Sequence, residues 1–211
     1  MSKYNNNVAL IEYGGSHTEC MFTQIQALKN KKYNIYLICN KSLINNFGDL
    51  SIFTDILLLH DVSEKLKLKD KIEDIRKVRL FTKKNDINTL VINTLEHKVV
   101  KNLLLSPLPR VKNYIGIVHY GIYIRESGTF KNLYRKIKKV LVLSENIVEK
   151  IGIPPREMLL TSFYPIHFPT FDDHIINKPF NDFWVTIPGA VVASHRDIFH
   201  LIDKMEEGRV H

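Results

Sequence analysis

The chain has only two cysteines and one tryptophan, and no apolar run near the roughly 18 residues that a membrane-crossing helix needs. Cys20 and Cys39 both sit inside apolar stretches, so they read as small buried hydrophobes rather than a disulfide or a metal site. The start, Met1 to Asn7, is polar, unlike a secretory signal, and a cytoplasmic protein is the expectation. There is no P-loop, no H-E-x-x-H pair and no Cys/His cluster, so nucleotide triphosphate hydrolysis and metal-dependent hydrolysis have no support. Internal repeats and low-complexity tracts are missing as well.

What is present suits one ordinary α/β domain. The 211 residues are 45% apolar and 25% charged, too few for two full α/β domains and enough for one. The net charge of +8 is concentrated in two segments, Asp61 to Lys84 at +4 and Arg125 to Lys139 at +5. Within the first, Leu68, Ile72, Ile75, Val78 and Phe81 recur at steps of three and four, which predicts an amphipathic helix with its lysines opposite the apolar stripe.

Short apolar runs alternate with helical patterns along the chain. Asn7 to Tyr13 is a strand that stops at Gly14-Gly15, before a helix over Thr18 to Lys31. Further strands are expected at Tyr33 to Cys39, Asp55 to His60, Thr89 to Leu95, Val111 to Tyr120, Lys139 to Leu143 and Met158 to Phe163. Ser42 can cap a short helix that Gly48 ends, and a helix is expected from Glu96 to Leu105. Pro165, Pro169 and Asp172-Asp173 mark a linker, after which Phe183 to Ile187 starts a new strand and Arg196 to Glu206 a helix. Such alternation implies an α/β, Rossmann-like parallel sheet with helices on both faces, whose ligands sit at the carboxyl ends of the strands.

That edge holds the candidate residues, and each has two readings. Gly14, Gly15, Ser16 and His17 lie where a strand hands over to a helix, either to let a phosphate or sugar approach backbone N–H groups or to make a tight turn. The G-x-G-x-x-G spacing of a dinucleotide site is missing. Glu19 adds a carboxylate that the helix dipole would favour without any function. His119 ends an apolar strand, where it could act as a base toward a sugar hydroxyl or be a plain strand-end histidine. Asp61 and the pair Ser144-Glu145 can be read as ligand groups or as helix caps. The basic segments could be solvated faces or could meet an anionic membrane surface. No nucleic-acid-binding motif accompanies the charge.

The opening VALIEYGGSHTECMFTQIQALKNKKYNIYLICN resembles the start of a GT-B glycosyltransferase, family-4-like, of the kind found in bacterial polysaccharide gene clusters. The segment VTIPGAVVASHRDI resembles the first strand and loop of the second GT-B domain, and IGIVHYG and VLVLSE match strand ends between them. The resemblance implies residues 1–170 as an amino-terminal Rossmann-like domain, 171–182 as a linker and 183–211 as the start of a carboxyl-terminal domain. Gly14 and Gly15 would line the cleft, and Ser16, His17 and Glu19 would shape its loop. His119 would face the transferred sugar as the candidate catalytic residue, beside Tyr120, with Ser144 and Glu145 at the next strand end. Arg196 would pair with donor phosphates.

A transferase of this kind takes a nucleotide-sugar as donor substrate and needs neither a bound metal nor another cofactor. The implied function is the acceptor-binding half of an enzyme that transfers a sugar to a polysaccharide or lipid-linked acceptor, inactive alone and peripheral at the inner face of the cell membrane. The partner would be a chain supplying the second domain or another copy of this one, because Phe183, Trp184, Val185 and Ile187 would otherwise lie exposed. The alternative is a non-enzymatic α/β module that docks on a partner chain or an anionic membrane through its basic helices.

Overall fold

Near-continuous runs of branched and apolar residues, bounded by polar ones, are the signature of strands buried on both faces. The computed structural model describes residues 6–13, 18–61, 66–119, 136–142, 147–148, 151 and 158–160. Its strands are β1 (Asn7–Glu12), β2 (Asn34–Asn40), β3 (Asp55–Leu59), β4 (Thr89–Ile92), β5 (Asn113–Val118), β6 (Ile137–Val142) and β7 (Met158–Leu160). They form one seven-stranded sheet in the order β3-β2-β1-β4-β5-β6-β7, parallel throughout. This is the α/β, Rossmann-like architecture that the alternating pattern implies. The chain divides into two compact units, Met1–Pro169 and Thr170–His211, and the second lies outside the described residues.

Helix α1 (Thr18–Asn30) lies on one face of the sheet, and α2 (Leu68–Lys84) and α3 (Lys98–Leu105) lie on the other. Alternation along the strands divides the core accordingly. In β1, Val8 and Leu10 join Met21 and Ile25 of α1, while Ala9 and Ile11 join Val78 and Phe81 of α2 and Leu103 of α3. Cys39 of β2 is fully buried on the α1 face, and burial pushes its thiol up to about 12, with the charges of Glu12 and Asp61 adding to the effect. Neither cysteine is in a disulfide.

Two local expectations change. Lys41–Asn46 is a 3₁₀ helix whose N-cap is Asn40, and Ser42 instead donates its backbone N–H to Asp61 Oδ1 at 2.8 Å. That bond, ahead of other causes, holds the Asp61 carboxyl below its usual range, and through it Asp61 ties the end of β3 to the first turn of the 3₁₀ helix after β2.

The second change concerns α2, where the expected single stripe is split. Val78 and Phe81 are buried, but Leu68, Ile72 and Leu80 are 73%, 57% and 56% exposed. Asp74 and Thr82 take the remaining inward positions. At 3.6 residues per turn, Leu68 and Ile72 stand about 80° and 120° round the axis from Val78, outside the contact arc. Asp74 fixes this rotation by accepting from His60 Nδ1 at 2.8 Å and, more weakly, from His60 N at 3.4 Å. Among the described residues no helix is long and apolar enough to cross a membrane.

Gly116 in β5 is required by packing. A Cβ there would fall 2.5 Å from Leu95 Cδ2 and 3.0 Å from its Cγ, and Leu95 is fully buried with its N–H bonded to Ile117 O at 2.9 Å. Gly116→Ala is therefore expected to destabilise the fold by about 1–3 kcal/mol, the usual cost of overpacking, read from urea unfolding midpoints. A loss below about 0.5 kcal/mol would mean that Leu95 yields freely.

Candidate functional site

Strand order reverses between β1 and β4: the chain builds outward from β1 to β3, then crosses back to lay β4 on the other side of β1. Helices leave the two neighbours toward opposite faces, the arrangement that in doubly wound sheets leaves a crevice beyond the strands' carboxyl ends. Ile11 and Ile92 are register partners, and the next residues, Glu12 and Asn93, stand at the crevice floor.

Both polar side chains are buried, Glu12 at 1% exposure and Asn93 at 0%. Burial on this scale is tolerated only with hydrogen bonds, and Asn93 is bonded on every side. Its N–H donates to Ile11 O at 3.0 Å and its Nδ2 to Glu12 Oε2 at 2.6 Å. Asn93 Oδ1 accepts from Gln24 Nε2 of α1 at 2.6 Å, and its main-chain oxygen pairs with His119 Nε2 at 2.7 Å. Thr94 Oγ1 adds a second donor to Glu12 Oε2 at 2.8 Å.

His119 follows β5 directly. A carbonyl can only accept, so Nε2 carries the proton, and in the neutral ring the lone pair is on Nδ1. Its own N–H donates to Glu96 Oε1 at 2.8 Å. Ring and main chain of His119 are thus both tied to the 93–96 turn.

Beside the turn, His97 caps α3, its Nδ1 accepting from Val99 N at 3.3 Å. The Tyr13 ring stacks on His97 with centroids 6.1 Å apart and planes 11° off parallel. Burial, with the Asp74 charge adding, raises the Tyr13 phenol well above its usual range, so it stays protonated. Asn40, at the end of β2, donates Nδ2 to Tyr13 O at 2.7 Å and so steadies the chain just before residues 14–17. Among the described residues Asn40 Oδ1 and Gln24 Oε1 are buried without a hydrogen-bond partner, which makes the floor rich in acceptors.

Of the residues singled out from sequence, His119 is the one placed in this network. Glu19 lies in the first turn of α1, with its side chain outside the described residues. Gly14, Gly15, Ser16, His17, Tyr120, Ser144, Glu145 and Arg196 also fall outside them. The pattern reading passed over Glu12, Gln24, Asn93, Thr94 and Glu96. The available signal was a glutamate inside the apolar run NVALIEY and an Asn-Thr pair inside TLVINTL, both polar interruptions of buried strands.

No family model matches the chain, and no curated protein matches it. Solved structures do. Acinetobacter baumannii MurG is similar with a TM-score of 0.55 at 13% identity, over 74% of this chain and 44% of that one. A glycosyltransferase from Rickettsia africae is similar with a TM-score of 0.51 at 14% identity, over 76% of this chain and 43% of that one. The chain thus spans under half the length of either structure, and the fold it shares with them is that of a GT-B amino-terminal domain.

Proposed function

We propose that this chain is the acceptor-binding half of a glycosyltransferase, acting with a second lobe that binds a nucleotide-sugar and moving the sugar onto a polysaccharide or lipid-linked acceptor. The observation that carries the reading is His119, held at the switch-point crevice by Asn93 O with its ring lone pair on Nδ1. An acceptor hydroxyl would give its proton to that nitrogen as its oxygen bonds to the anomeric carbon, while the donor's bond to diphosphate breaks and the diphosphate leaves with the electron pair. Gly14, Gly15, Ser16, His17 and Glu19 would shape the crevice wall beside Glu12. Tyr120, Ser144 and Glu145 would extend it along the next strands, and Arg196 would meet the donor phosphates. The lobe carrying the donor site could belong to a partner chain or a second copy.

The test is transfer of a radiolabelled sugar from a panel of nucleotide-sugars to lipid-linked acceptors by this protein together with its nucleotide-sugar-binding lobe. Donor-dependent incorporation that requires both supports the reading. Equal incorporation by the second lobe alone sinks it.

The outward face of α2 supports a place at an anionic membrane surface. Lys69, Arg76, Arg79 and Lys83 are exposed there with Leu68, Ile72 and Leu80, the acidic residues of the helix point elsewhere or pair within it, and Lys84 is paired with Asp55 of β3 at 3.1 Å. Arg76, Arg79 and Lys83 also face Arg110 across a groove of about 470 Å³. Each cation near such a surface is worth about 1 kcal/mol, and the leucines and isoleucine would add apolar contact. From the second basic segment, Lys136 and Lys138 are occupied with Leu104 O and Asn113 Oδ1.

Reversing Arg76, Arg79 and Lys83 to glutamate is expected to weaken sedimentation with phosphatidylglycerol vesicles by about 100-fold or more at low salt, from that same increment per charge. Vesicles of phosphatidylcholine alone should bind poorly throughout. Unchanged binding by the triple variant would remove α2 as the contact.

A further inference from the structure

We propose that Glu12 is a positioning residue for His119, acting through Asn93 to hold the imidazole in its Nε2–H tautomer. This rests on His119 being the base of the proposed transfer, and it assigns a task to a buried carboxylate that the transfer step leaves unused.

The physical chain is short. Glu12 Oε2 receives Asn93 Nδ2 at 2.6 Å, and the same asparagine offers its carbonyl to His119 Nε2 at 2.7 Å. Whether that carbonyl aims at the ring depends on how residue 93 is turned about the end of β4. Its N–H bond to Ile11 fixes one end, and the side-chain bonds to Glu12 and Gln24 fix the other. Glu12 is a rigid anchor because it ends β1, is 1% exposed and takes Thr94 as a second donor. A free imidazole has two neutral tautomers close in energy, and the bond to a fixed carbonyl chooses between them. For a base that choice decides which nitrogen offers the lone pair.

The experiment is long-range ¹H–¹⁵N spectroscopy of the histidine rings in the intact protein above pH 8, with the His119 signals assigned by their loss in His119→Gln. Wild type should show the Nε2–H pattern. Asn93→Asp removes the donor to Glu12 and sets two carboxyl groups against each other. It should lower the ratio of Nε2–H to Nδ1–H forms by about three- to tenfold, the equilibrium worth of one hydrogen bond.

Glu12→Gln combined with Asn93→Asp exchanges donor and acceptor across the same gap and should restore the wild-type pattern. Should Asn93→Asp fail to fold, Glu12→Leu tests the same link from the other side, and Glu12→Gln, which keeps an acceptor for Asn93 Nδ2, should behave as wild type. A wild-type tautomer ratio in Asn93→Asp or Glu12→Leu overturns the proposal, as does failure of the exchanged pair to restore it. The outcomes separate cleanly from the transferase reading. A tautomer that responds in a protein without transfer activity keeps Glu12 and loses the reaction, and transfer with an unresponsive tautomer does the reverse.

Discussion

Replacing His119 with alanine is expected, on the proposed reading, to lower sugar transfer measured together with a nucleotide-sugar-binding lobe by about 10²- to 10⁴-fold, the usual contribution of a general base. On that reading the loss should fall on kcat with KM for the donor little changed, because a general base acts on the acceptor hydroxyl in the transfer step and the donor is bound by the other lobe. The fold should survive, since His119 is only half-buried and its main-chain bond to Glu96 does not need the ring. His119→Gln would keep a donor toward Asn93 O yet offer no base, and should be nearly as impaired. If the alanine variant kept more than about a third of wild-type kcat, His119 would be a bystander at the crevice.

Asn93→Leu should cost about 3–4 kcal/mol of stability, a large share of the 5–15 kcal/mol by which a typical domain is folded. The change strips the buried Glu12 of its 2.6 Å donor and the part-buried Gln24 of its acceptor. Leaving a buried carboxylate short of donors is the expensive part, more so than the lost bond itself.

Glu12→Leu alone should cost a similar amount, and the double variant distinctly less than the sum, because the two side chains are in direct contact. Urea unfolding of wild type, both single variants and the double gives the coupling directly. A sum that is strictly additive would show that Glu12 and Asn93 do not share their stabilisation. A native state kept by the double variant would also show how far the crevice floor is built for chemistry rather than for folding.

The fold was largely legible because its signal is local and repeated. Runs such as NVALIE, NIYLIC and TLVI are apolar on both faces, and parallel neighbours demand crossovers long enough for helices. Of the hydrogen-bond network at the strand ends, one residue, His119, was legible. Its position was readable as a polar residue ending an apolar run, whereas its partners were hidden for a physical reason. Glu12 and Asn93 are 81 residues apart and meet because β4 returns to the inner side of β1, a crossover that no local pattern encodes. The α2 reading failed in a related way: spacing of three and four put Leu68, Ile72, Val78 and Phe81 in one stripe, but the bond between Asp74 and His60 rotates the helix and leaves the first two outside.

Order along the chain was therefore enough to establish the seven strands of the described residues and their parallel run. Hydrophobic burial acts through composition and period, and both can be read one residue at a time. Which strands became neighbours settled the rest: a buried carboxylate, an asparagine bonded on all sides and an imidazole of one tautomer converge where the strand order reverses. Hydrogen bonds are directional and short in range, so their partners exist only once distant segments have been brought together.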